Sequence, residues 1–164
     1  METISIDKNK VLTLYGKSTK ANKQYLEGLF GKETFTGKIT DRCKSMADVY
    51  QLNNIKPGTK LVSAFHAALG MDEESIHTYC ELVLMARTLN EGWVPDYTNS
   101  NERKYYPWFD LSSGSGLSLY YVDYSHSLTG VGARLVFKSE ELAKHAVKYF
   151  LKEYTNYITI KKTK

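Results

Sequence analysis

The spacing of apolar positions changes several times along the chain, and each change marks an element boundary. TISI (3–6) and KVLTLY (10–15) are short β-rich runs with the polar DKNK between them, which predicts a hairpin. From residue 20 the period lengthens: Ala21, Tyr25, Leu26, Leu29 and Phe30 fall at helical spacing, Thr19 can cap that helix and Gly31 can stop it. After ETFTGKI, Ser45 followed three residues later by Asp48 resembles a capping box and predicts a helix over roughly 46–53. Pro57-Gly58 turns the chain, and Thr59 can cap a short helix carrying Ala64, Phe65, Ala68 and Leu69 that Gly70 ends.

Asp72 stands at the cap position of the strongest helical pattern, roughly 73–90, with Glu73 and Glu74 well placed against the positive end of its dipole. Ile76, Tyr79, Cys80, Leu82, Val83, Met85, Ala86 and Leu89 cover more than one face, so this helix is expected to be central. NEGWVPD (90–96) ends it. Gly92 can take the left-handed conformation, Trp93 can fold back onto the last turn, and Pro95 blocks resumption. Three strands are then predicted: KYYPWFDL, LSLYYVDYSHS after an SSGSG turn, and ARLVF after TGVG. Ser139, followed by Glu140 and Glu141, opens a last helix with Ala143, Ala146, Val147, Phe150, Leu151 and Tyr154 on one side. The order predicts an α+β fold: an N-terminal hairpin and several helices, then a three-stranded antiparallel sheet packed on a central helix and a C-terminal helix.

Strict alternation along these strands sorts their side chains onto two faces. Leu117, Leu119, Tyr121, Tyr105, Phe109, Leu111, Leu135 and Phe137 make a plain core face. The opposite face gathers Tyr106, Trp108, Tyr120, Tyr124, His126 and Arg134. Flat rings beside a guanidinium suit a protein interface, and they also suit base stacking. A second layer of the same chain, such as the N-terminal segment, could equally cover them.

Composition excludes more than it selects. A 164-residue chain with 42% apolar and 24% charged residues has the make-up of one globular domain rather than a disordered chain. The expected organisation is a single domain over 1–164, with 1–40 as an appendage. METISIDKNK lacks the basic and apolar regions of a signal peptide, and no apolar run suits a membrane span, so a cytoplasmic setting is expected. Cys43 and Cys80 read as reduced structural thiols. Charge is segregated: residues 1–60 carry 11 Lys or Arg against 6 acids, 61–137 carry 4 against 9, and 138–164 carry 7 against 3. Lys144, Lys148 and Lys152 put a basic stripe on the last helix, a feature that attracts nucleic acid or an acidic partner.

Catalytic patterns are missing. YGKSTK lacks the upstream glycine of a phosphate loop, where Val11 stands. His66, His77, His126 and His145 have no metal-ligand spacing to each other or to cysteine. Asp123 and Ser125 share a strand face that His126 does not, and no nucleophile elbow is present. No enzyme activity, cofactor or metal is expected.

LNEGWVPDY, YYPWF and GARLVFKSEELAKHAVKYFLKEY resemble an uncharacterised family of small proteins from Bacteroidetes and their phages. Its marks are a Gly-Trp-x-Pro-Asp helix stop, a Tyr-Tyr-Pro-Trp-Phe strand and an Arg-Leu-x-Phe-Lys-Ser-x-Glu-Leu-Ala run. The likeness spans 43–158, is strongest over 88–150, and carries over no catalytic residue. It implies a phage or bacterial setting, cytoplasmic in the host cell or virion-associated. The expectation is a non-catalytic binding protein, a protein-interaction or assembly module whose partner is a protein or a second copy. The alternative is a binder of single-stranded nucleic acid or nucleotides, using the aromatic face and the basic ends.

Overall fold

The computed structural model describes residues 7–56, 59, 73–112 and 116–159. TISI, the Pro57-Gly58 turn, the helix expected after Thr59, the Asp72 cap, most of SSGSG and the basic tail fall wholly or partly outside them. By its internal contacts the chain divides into two compact units, Met1–Arg42 and Cys43–Lys164.

The first unit is helical where a hairpin strand was expected. KVLTLY lies in α1 (Lys8–Lys17), followed by α2 (Lys20–Phe30), α3 (Glu33–Thr36) and α4 (Ile39–Arg42). Local contacts override the β preference of this run. The Asp7 carboxylate accepts from Lys10 N at 3.4 Å, as an N-cap does, and DKNK therefore starts a helix instead of turning a hairpin. Four residues beyond Val11, Tyr15 stacks on Phe35 at 4.2 Å and donates its hydroxyl to Glu27 Oε1. A tertiary ring contact thus holds α1 against the next two helices. Thr19 caps α2 by accepting from Asn22 N, and Gly31 ends it at φ +77°.

The second unit begins with α5 (Met46–Leu52), where the expected capping box is present. Ser45 accepts from Asp48 N, and the Asp48 carboxylate accepts from Lys44 N at 2.9 Å. Those hydrogen bonds, led by the one from Lys44, hold the Asp48 carboxyl below its ordinary range. α6 (Glu73–Leu89) buries Thr78, Leu82, Met85, Ala86 and Leu89 along one stripe. It meets α5 through polar links, with Tyr50 Oη donating to Glu81 and Asn53 Nδ2 to Thr88 Oγ1.

Two antiparallel strands follow, β1 (Lys104–Asp110) and β2 (Ser118–Ser125), then α7 (Glu140–Ile158), capped by Ser139 accepting from Leu142 N. Leu142, Ala143, Ala146, Val147, Phe150 and Tyr154 of α7 are buried, and α7 packs against α6 and both strands. The sheet therefore rests mainly on the C-terminal helix, rather than on both helices alike.

The expected third strand does not form among the described residues. Residues 133–137 meet β1 at a single bridge, where Tyr105 and Phe137 exchange backbone hydrogen bonds of 2.9 and 2.8 Å. The reason lies in the burial. Leu135, Val136 and Phe137 are all buried in succession, which a half-solvated pleated strand does not allow. In place of a neighbouring strand, the buried Asn90 amide donates to Val136 O at 2.8 Å and accepts from Lys138 N at 3.0 Å.

Candidate functional site

The two faces of the sheet are set by one irregularity. Lys104 pairs with Ser125, Tyr105 with Tyr124, Tyr106 with Asp123, Pro107 with Val122 and Trp108 with Tyr121, but Phe109 pairs with Leu119. Tyr120 is thus the extra residue of a β-bulge, and the alternation of β2 restarts on either side of it. Strict alternation had placed Leu119 and Tyr121 on one face. The bulge puts them on opposite faces.

Directly paired residues share a face. The inner face holds Pro107 and Phe109, with Phe109 against the buried Tyr154 of α7 at 4.8 Å between rings. Burial pushes the Tyr154 hydroxyl up from its ordinary range. Tyr124 also lies on this side, opposite Tyr105 with ring centroids 5.7 Å apart. Arg103 covers its ring at 4.4 Å, and His126 meets it edge-on at 5.5 Å. Tyr124 and His126 are therefore together, as expected, but apart from Trp108.

The outer face carries Tyr106, Trp108 and Tyr121. Trp108 and Tyr121 are stacked, 6.2 Å apart with planes 14° from parallel, and Tyr106 lies 6.4 Å from Trp108. Tyr120 continues the row, edge-on to Tyr121 at 5.1 Å. Trp108 is 50% exposed, Tyr120 72% and Tyr121 44%, so the described residues leave this row largely open to solvent. Asp123 stands across from Tyr106; burial, and then that charge, push the Tyr106 hydroxyl above its ordinary range.

One residue that the sequence reading passed over organises the end of this face. Lys104 is wholly buried. Its ammonium donates to the carbonyls of Asp96 at 2.5 Å, Glu102 at 2.9 Å and Asn99 at 3.2 Å. It lies 3.2 Å from the Glu102 carboxylate and 5.2 Å from the Tyr97 ring. Glu102 in turn accepts from Asp96 N at 2.8 Å and from Trp93 Nε1 at 3.3 Å. The Asp96 backbone N–H, and then Lys104 and Trp93, outweigh desolvation and hold the Glu102 carboxyl below its usual range. PDYTNSNE thus wraps a lysine ammonium much as an ion-binding loop wraps a cation. A loop rich in Asp and Asn, ending two residues before a strand lysine, was the available signal.

Arg134 joins no sheet face. It is exposed and lines a cleft at the end of α6 that Trp93 and Arg87 also line. Lys144, Lys148 and Lys152 are exposed on α7. Lys144 pairs with Glu140 at 2.6 Å, while Lys148 and Lys44 lie 5.1 and 6.0 Å from the Tyr149 ring. Lys144, Lys148 and Lys152 belong to the helix under the inner face, on the other side of the sheet from the Trp108 row. Among the described residues no group of three His, Cys, Asp or Glu side chains is placed to hold a metal ion, and no helix is long and apolar enough to cross a membrane.

Fold and site together define an α+β protein with an open aromatic sheet face. No protein-family model, curated protein or solved structure matches the chain.

Proposed function

We propose that this is a non-catalytic binding protein that engages a protein partner, or a second copy of itself, through the outer sheet face. The single observation behind this reading is the contiguous row Tyr106–Trp108–Tyr121–Tyr120, in which Trp108, Tyr121 and Tyr120 are solvent-exposed and Tyr106 is half-buried, on a sheet whose other face is packed on α7. Aromatic rings at the centre of such a patch supply most of the energy of protein interfaces. Asp123 beside Tyr106 opposes phosphate, and the α7 lysines lie across the sheet, so the alternative reading as a single-stranded nucleic-acid binder has less support. The phage or bacterial setting implied by the motifs of residues 88–150 is part of the proposal.

The test compares the two faces. Phe109→Ala should cost about 3 kcal/mol in stability, whereas Trp108→Ser and Tyr121→Ser together should cost below about 1 kcal/mol. The double variant should also lower the mass seen by light scattering at high protein concentration, or abolish capture of a purified partner. Equal destabilisation from both faces would mean that the outer face is covered in the folded protein. Single-stranded oligonucleotide binding lost in Trp108→Ser would favour the alternative.

A further inference from the structure

A second site lies away from the sheet face, at the carbonyl end of α6. A cleft of about 630 Å³ opens there, lined by Val83, Leu84, Arg87, Trp93, Pro95 and Arg134, among others. That volume falls in the range of about 300–1,000 Å³ typical of small-molecule sites. The helix stop itself builds it. Glu91 and Gly92 turn the chain at positive φ, and Trp93 returns beside the last turn with its Nε1–H held by Glu102. The indole is therefore fixed in place before any ligand arrives.

Several cations of this unit have a partner of their own. Lys104 has Glu102, Lys138 has Glu91, Lys144 has Glu140, and Arg103 has the Tyr124 ring. Among the described residues Arg87 and Arg134 have neither a carboxylate nor a ring partner. The other polar side chains lining the cleft are occupied: Asn90 on the 136–138 backbone, Asn53 on Val49 O and Thr88. Two uncompensated guanidiniums outweigh the roughly half negative charge of a helix C-terminus. Guanidiniums form paired hydrogen bonds to carboxylate or phosphate, and an indole offers a face for a flat ring.

We propose that this cleft binds a small planar aromatic anion, its ring against Trp93 and its phosphate or carboxylate held by Arg87 and Arg134. Isothermal titration calorimetry on the full chain tests this with four probes: adenosine monophosphate, indole-3-carboxylate, adenosine and inorganic phosphate. At least one of the two aromatic anions should saturate below about 1 mM, and adenosine and phosphate should each bind at least about tenfold more weakly. Binding of the monophosphate alone identifies a phosphate ligand, and of the indole acid alone a carboxylate. Arg87→Gln and Arg134→Gln should each weaken the binding about tenfold at unchanged melting temperature, with Arg134→Lys intermediate because it keeps charge but loses the fork. Trp93→Phe should retain binding that Trp93→Leu loses. Three results would overturn the proposal: no saturable heat from either anion up to about 10 mM, adenosine binding as well as its monophosphate, or an unaltered affinity in the double arginine variant. None of these variants touches Trp108 or Tyr121, so failure here leaves the sheet-face reading standing.

Discussion

Lys104 Nζ lies 3.2 Å from the Glu102 carboxylate, with its side chain wholly removed from solvent, although a single residue separates the two in the chain. The ammonium fills the hub of the 96–102 loop and satisfies three carbonyls that would otherwise face one another. Lys104→Met keeps the length of the side chain and removes every one of those donors. It should destabilise the protein by about 3 kcal/mol, because buried carbonyls and a carboxylate lose their partner. Chemical denaturation measures this. A loss below about 0.5 kcal/mol would show that the cage contributes nothing net.

The same loop should respond to acid. The Glu102 and Asp96 carboxyls are both held below their ordinary values, Glu102 chiefly by the Asp96 N–H and Asp96 chiefly by Thr98. A depressed folded-state value means stability that is complete above the unfolded range near 4 and lost as pH falls through the lower folded values. Trp93 fluorescence should therefore hold steady at neutral pH and change only below about pH 4. Glu102→Gln should remove much of that change. A transition near neutrality would point to a different group.

Asn90 stands in for a missing strand neighbour. Its amide is 5% exposed and bonds both Val136 O and Lys138 N. Asn90→Ala should cost about 2–3 kcal/mol by leaving two backbone groups unpaired. Asn90→Asp should be worse near neutral pH, since a carboxylate oxygen would then face Val136 O. Thermal melts of the two variants give the ranking, and an Asp variant as stable as wild type would contradict it.

Gly92 isolates the cost of backbone conformation. Its φ is +87° and an added Cβ would meet nothing within 4 Å, so Gly92→Ala should lose about 1 kcal/mol through strain alone. Trp93 is half-buried, and Trp93→Ala should cost about 2 kcal/mol, less than a fully buried ring. Equal losses at the two positions would mean that the indole adds no packing of its own.

Elements decided within a few residues were legible in the sequence. Thr19 and Gly31 bound α2, Ser45 and Asp48 open α5, Ser139 opens α7, and Gly92 sits in the turn that stops α6. Each signal is a side chain bonding a backbone group about three residues away, or a glycine freeing one φ angle, so the chain needs no distant partner to set it. Both long strands were likewise readable from alternation and turn residues.

What tertiary contact decided was invisible to that reading. VLTLY has a local cap in Asp7, but its β-rich composition hides it, and the tertiary contacts of Tyr15 with Phe35 and Glu27 hold the run as a helix. Residues 133–137 join the sheet only at the Tyr105–Phe137 bridge, because Asn90 takes Val136 O and the neighbouring Lys138 N and three successive side chains are buried. The bulge at Tyr120 then moved Tyr121 to the outer face beside Trp108, and left Tyr124 and His126 on the other. The sequence by itself determined which residues are aromatic and where the capped helices α2, α5 and α7 begin. Only the tertiary structure chose which rings share a face, because one unpaired residue inverts the alternation of a whole strand and its position depends on what the facing strand can pair with.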